Sequence, residues 1–188
     1  MYNPQHTIDQ LLAQLPADLL AQVEVAATRR AYAKHEFLLR AGQVCRHIYV
    51  VEQGLVRNVV LVDGTEITTS FTFAQGFTAS LQSQTRQQPS AESIQALAPT
   101  LVYQIDYEHL TRLRKQYPIL ADLDTLLLET YAMALEERLF AFQTQTAKQR
   151  YNQLLEREPH LLQSVPLTHI ASYLGINLGS LSRIRAER

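Results

Sequence analysis

Near the end of the chain, within "INLGSLSRIR", stand Asn177, Leu178, Gly179, Ser182 and Arg183, with Ser180 and Arg185 between and beside them. Thr168 lies a short stretch upstream. These residue types can read and hold a polyanion. The fork of an arginine such as Arg183 meets a guanine edge or a phosphate, and an apolar side chain such as Leu178 meets a thymine methyl. Ser180, Arg185 and Thr168 suit phosphate oxygens, and each phosphate neutralised makes affinity more salt-dependent. The chemistry points to DNA, with the first five residues toward the major groove.

Such residues work only if a rigid element presents them on one face. The segment from Leu167 onward supplies one. Ile170 and Leu174 stand one turn apart on a first short helix, and Ala171 is small enough to let a second helix cross closely. Gly175 falls at the joint, where a left-handed backbone is needed and a Cβ costs energy. Ile176, Leu181 and Ile184 complete a small core, and Pro166 precedes the first helical turn. This is the pattern of a helix-turn-helix. One such unit reads few bases, so a two-fold pair is expected. The long apolar stretch "ILADLDTLLLETYAMALEERLFAFQ" can pair two copies. Leu120, Leu123, Leu127, Tyr131 and Ala134 make one stripe along it, and Leu128, Leu135, Leu139 and Phe142 another. Glu136, Glu137 and Arg138 read as its solvated face.

The remaining chain must hold that pair. Thr7 to Val25 reads as helical, interrupted at Pro16. Between residues 35 and 106, short runs rich in Val, Ile, Thr, Tyr and Phe alternate with turn signals at Gly42, Gly54, Asp63-Gly64 and Gly76. Asp-Gly predicts a type I′ hairpin. "SLQSQTRQQPSAES" (80–93) is polar and reads as a long loop. "YEHLTRLRKQY" is a short helix ended by Pro118, and Thr146 with Gln149 forms a capping box for another. The expected fold class is α+β: an N-terminal β-roll of jelly-roll type with flanking helices, a long dimerisation helix, and a C-terminal helix-turn-helix. The composition shift near Thr144 to Thr146 sets the division at residues 1–145 and 146–188.

"IASYLGINLGSLSRIR" resembles the DNA-binding segment of the Crp/Fnr family of bacterial transcription regulators. The resemblance extends over nearly the whole chain. "LLRAGQVCRHIYVVEQGLVRNVVLVDGTEI" looks like the first half of a cyclic-nucleotide-binding β-roll, with Gly42, Gly54 and Gly64 matching its turn glycines. The resemblance implies a homodimer that binds double-stranded DNA and regulates transcription, with RNA polymerase as a further partner. Members whose recognition helix opens with a base-reading Arg-Glu pair have Leu178 and Gly179 here, and only Arg183 matches a third base-reading arginine. A different operator is implied.

The family's phosphate cassette also departs. It has Gly-Glu, then an Arg before a small pair. Here Phe77 follows Gly76, and Pro89 or Ser90 stands at the arginine position, with Arg86 too early. cAMP and cGMP are therefore not expected as effectors. A different small ligand would meet Gly76, Phe77, Thr78, Ser80 and Ser90. No cofactor is expected. One cysteine, Cys45, cannot build an iron–sulfur cluster, and the six histidines are scattered rather than grouped around a haem. Cys45 stands beside Arg46 and His47, a setting that can lower a thiol pKa, although a lone Cys at a strand is commonly a small hydrophobe. No His-x-His pair, G-x-S-x-G, P-loop or H-E-x-x-H suggests an enzyme or a metal site.

Hydrophobic residues make up 46% of the 188, enough for a core. The net charge of −1 argues against a general DNA coat but not against a local basic patch. No signal peptide or apolar span of membrane length is evident, so the expectation is a cytoplasmic protein without a membrane partner. The alternative is a dimeric interaction or small-ligand sensor module that has lost sequence-specific DNA binding.

Overall fold

The computed structural model describes residues 13–159 and 161–187. Helix α1 (Ala17–Ala26) leads into strands β1 (Ala27–Tyr32), β2 (Phe37–Leu39), β3 (His47–Gln53), β4 (Leu55–Val62), β5 (Thr65–Phe73) and β6 (Phe77–Thr78). Then come α2 (Leu81–Arg86), β7 (Glu92–Ala96), β8 (Thr100–Asp106), α3 (Tyr107–Gln116) and the long α4 (Pro118–Thr144). Four short helices follow: α5 (Ala147–Arg157), α6 (Leu161–Ser164), α7 (Leu167–Tyr173) and α8 (Leu178–Ala186). The part of the expected N-terminal helix before residue 13, with His6, lies outside the described residues, as does His160.

The strands form two antiparallel four-stranded sheets, in the orders β1-β8-β3-β6 and β2-β7-β4-β5. Their facing sides enclose a core that includes Tyr49, Val51, Val56, Ile94 and Val102. Full burial of each such side chain contributes about 1.5–3 kcal/mol. The β4–β5 hairpin turns at Asp63 and Gly64, whose φ values of 49° and 77° are the positive pair that a type I′ turn needs.

Two regions differ from the sequence expectation. The polar stretch 80–93 is not a loop throughout. It holds α2, which ends at Gln87 in a left-handed conformation, and the start of β7. Ser and Gln weaken an apolar period, yet Ser83 and Gln84 are buried here, and the Ser83 hydroxyl accepts from Cys45 N–H of the roll. Strand β1 was also hidden, because four of its six residues are exposed and only Tyr32 is buried.

Strand β4 explains how the halves of the molecule join. Its first five residues are buried, whichever face they point to. Val56 points into the roll. Leu55 points outward and packs with Leu97, Tyr151, Ile170, Leu174 and Leu181, so the C-terminal helices cover the outer face of the second sheet. A sheet covered on both faces shows apolar residues on both sides of its strands.

Helix α4 changes surroundings along its length. Leu120 is buried in the chain's own core with Leu19 and Leu113. Leu126 is buried, and Leu123 and Leu127 are half-buried. Tyr131 and Ala134 are exposed, and so are Leu128, Leu135, Leu139 and Phe142, which recur at helical spacing on the outer side. Of the two stripes, the second is the continuous apolar surface. No helix among the described residues is long and apolar enough to cross a membrane.

Candidate nucleic-acid interface

The C-terminal unit is assembled from the residues that the sequence singles out. Ile170, Ala171, Leu174 and Leu181 are buried, and Ile176 and Ile184 pack against them. At the joint, Gly175 has φ +67°, and a Cβ there would stand 2.6 Å from Phe142 Cε1. The conformation favours glycine, and any larger residue would also push the Phe142 ring aside. The turn closes with Gly175 N–H donating to Ser172 O at 3.1 Å and Ile176 N–H donating to Ala171 O at 3.0 Å. Helix α8 starts at an Asn cap, with Asn177 Oδ1 accepting from Ser180 N–H at 2.8 Å. That oxygen is spent inside the chain, which leaves less of Asn177 for a base edge than the sequence suggests.

The outward side of α8 carries Leu178, Gly179, Ser182, Arg183 and Arg185, all exposed, and Thr168 is exposed on α7. Ser180 is half-buried, and its hydroxyl accepts from Arg183 Nη2 at 3.3 Å. A Cβ on Gly179 would meet only Asn177 Oδ1, at an ordinary 3.4 Å. Packing within the chain does not demand a glycine there. The described structure brings Leu178, Ser182, Arg183 and Arg185 together on one accessible helix, with Thr168 on its neighbour.

Three arginines fix this unit to the rest of the chain, and sequence reasoning missed all three. Arg138, expected on a solvated face, is half-buried. It donates to Thr69 O and to Tyr173 O and lies over the Tyr173 ring at 4.3 Å. Burial pushes its pKa down. Arg150 donates to Leu174 O from Nε at 3.2 Å and to Gln145 O at 2.7 Å, so it satisfies the carbonyl ends of α7 and α4. These two line a cavity of about 270 Å³ between α4, α5 and α7, but their donors are taken by main-chain oxygens, which makes them braces. The third, Arg57 on β4, is buried with 2% exposure and contacts His169 on α7. One signal for it existed: an arginine centred in the otherwise apolar "LVRNVVLV" needs a partner wherever that strand is covered.

The roll has its own cavity of about 260 Å³, lined in part by Ser80, Ser83, Gln88 and Glu92. Its polar groups largely satisfy one another. Ser90 Oγ donates to Ser80 Oγ or Glu92 O, at 2.9 and 2.7 Å. Thr78 Oγ1 donates to Asn58 Oδ1 at 2.8 Å, and Asn58 Nδ2 donates to Glu92 at 3.1 Å. Of the expected pocket residues, Ser80 lines the cavity, Ser90 bonds to it, Thr78 is buried against Asn58, Phe77 is half-exposed, and Gly76 closes the turn before β6. Arg86 is exposed at the end of α2 and does not line the cavity. Cys45 is fully buried, and burial pushes its thiol pKa up, the reverse of the activated thiol that its neighbours suggested. Among the described residues no group of three His, Cys, Asp or Glu side chains is placed to hold a metal ion.

Residues 29–117 match the family model for the cyclic nucleotide-binding domain. No curated protein matches the chain in sequence. Among solved structures, FixK2 from Bradyrhizobium japonicum superposes with a TM-score of 0.73 at 21% identity, covering 86% of this chain and 83% of that one. The c-di-GMP responsive global regulator CLP of Xanthomonas campestris does so at 0.73 and 15% identity, covering 92% and 91%. A protein from Eubacterium rectale described as a transcriptional regulator of the Crp/Fnr family gives 0.72 at 18% identity, covering 94% and 85%. The chain therefore has the α+β fold seen in the Crp/Fnr regulators, and its roll matches the model of the cyclic nucleotide-binding domain.

Proposed function

We propose that the chain is a dimeric, sequence-specific DNA-binding transcription regulator, a binding protein rather than an enzyme, which does not respond to cAMP. The observation that carries the reading is the accessible face of α8, with Arg183, Arg185 and Ser182 over a fully formed two-helix core. The open space at Gly179 fits close approach of a partner to that helix. The regulators with which the chain shares its fold support the same role. Residues 146–188 are the DNA-binding part, and residues 1–145 carry and pair them.

Pairing is assigned to the exposed apolar stripe of α4 from Leu128 to Phe142. The effector reading rests on charge. Glu92 is the only ionisable residue among those lining the roll cavity, and a carboxylate opposes a cyclic phosphate. The cavity hydroxyls of Ser80 and Ser83 are already bonded within the chain, which suits a scaffold or an uncharged ligand. A cytoplasmic location and contact with RNA polymerase follow from the same reading.

The test is selection from randomised duplex DNA followed by a salt titration. A palindromic consensus, bound more weakly as salt rises, is the expected outcome. Replacing Arg183 by Ala then lowers affinity about 5- to 150-fold and relaxes one position of the half-site. No enrichment and no salt dependence, with or without cell extract as a source of ligand, would overturn the reading in favour of a pure interaction module.

A further inference from the structure

Arg57 heads the largest fully buried side chains of the roll. A guanidinium has donors only. Nε and Nη2 donate to Gln95 Oε1 at 3.0 and 2.7 Å, Nη1 donates to Thr68 Oγ1 at 3.3 Å, and Nη2 pairs with Glu66. The remaining contact runs from Nη1 to His169 Nδ1, at 2.9 Å. Arginine cannot accept, so Nδ1 must. His169 is then neutral, with its proton on Nε2. A protonated imidazole would aim an N–H at a buried cation.

We propose that Arg57 and His169 form a proton-sensitive latch that holds the α7–α8 unit against the outer face of the roll. The polar and ring contacts beside it are made by the first helix of the unit. Thr68 N–H donates to Ser172 Oγ at 3.2 Å, and the Phe71 and Tyr173 rings lie 5.2 Å apart. Helix α8 is not part of the latch, so the device sets where the reading face points and not its chemistry.

The groups facing His169 are Arg57 on β4, Glu66 on β5 and His35 in the turn before β2. Burial, then the Arg57 charge, holds the His169 pKa below the usual histidine value. Glu66 pulls the other way, but its carboxylate is half-exposed and paired with Arg57. The docked state therefore prefers neutral His169, while an undocked His169 titrates near its ordinary value of about 6.5. Docking is strongest above that pH. It weakens as pH falls below it, by up to about tenfold per pH unit, until the docked pKa is reached.

The latch needs no DNA, so its test stands apart from the reading face. In the full chain, imidazole nitrogen NMR should find an accepting Nδ1 at pH 7.5 and a His169 pKa below about 6.5. A protonated Nδ1 at pH 7.5, or a pKa at or above that value, overturns the proposal. A second readout is exchange protection of the Thr68 amide, whose hydrogen bond crosses the junction. Protection should drop by up to about tenfold per pH unit below 6.5, after correction for intrinsic exchange, while roll amides such as Val51 hold theirs. In His169→Gln, whose amide oxygen accepts from Arg57 without titrating, the profile should be flat. Equal pH profiles in both proteins would overturn the latch.

Discussion

Two regions of polar burial in this molecule, the roll cavity and the junction with α7, are built in opposite ways. Around the cavity Ser80, Ser90, Thr78 and Asn58 are neutral, and they bond to one another, to main chain and, through Asn58, to the Glu92 carboxylate. At the junction one permanent cation, Arg57 on β4, is enclosed by groups from β5, β7 and α7. Neutral groups that satisfy one another make a closed account that changes little with conditions. A buried charge makes each neighbour conditional on its protonation and position. The region that looks like a ligand site is thus the quieter one, and the region that looks like plain packing is the responsive one.

The sharpest way to break this comparison is to remove the charge. Arg57→Ala leaves the buried oxygens of Gln95 and Thr68 without donors and opens a cavity, a loss of about 3 kcal/mol. Little of that comes from Glu66, whose carboxylate is half-exposed and rehydrates. Thermal unfolding should fall by about 6–12 °C. An unchanged midpoint would mean that the junction does not depend on its cation.

Acidification comes next in size. Between about pH 6.5 and the lower docked pKa of His169, protonation should weaken the junction by up to about 1.4 kcal/mol per pH unit. Comparing unfolding midpoints of the parent and His169→Gln at pH 7.5 and pH 5.5 isolates that share. In the cavity the effects should be smaller. Ser90→Ala should cost about 1 kcal/mol, the worth of one neutral hydrogen bond, with a midpoint shift of about 2–4 °C that does not vary with pH. The smallest effect expected is that of cAMP. A ligand at 100 times its Kd would add about 2.7 kcal/mol, so millimolar cAMP with no shift in midpoint fits a cavity without a phosphate partner, and a clear rise would contradict it.

The legible parts of the fold are those where one residue type has one local use. Gly175 at a left-handed joint, the Asp63-Gly64 hairpin and the Thr146–Gln149 capping box are each decided within a few residues. The helices around them followed from period alone. Strand β1 was not legible, because four of its six residues face water and offer no alternation. Helix α2 was missed because its buried residues, Ser83 and Gln84, are polar, and Ser83 is held by Cys45 far along the chain. The outward side of α8 was legible down to Arg183, since an outer helical face follows from the inner one. Its anchoring was not. Arg57, Arg138 and Arg150 act on carbonyls and side chains up to 112 positions away, and only the folded chain brings these together.

Phe142 occupies an unusual place in this arrangement. It ends the exposed apolar stripe of α4, and its ring also fills the space that Gly175 leaves free at the joint of the two terminal helices. One ring is therefore bearing surface for two couplings. A second chain seated on the stripe would press on the same atoms that set the elbow between α7 and α8. Movement could then pass from one copy to the other's joint along the helix edge, like a cam against its follower, without deforming the roll at all.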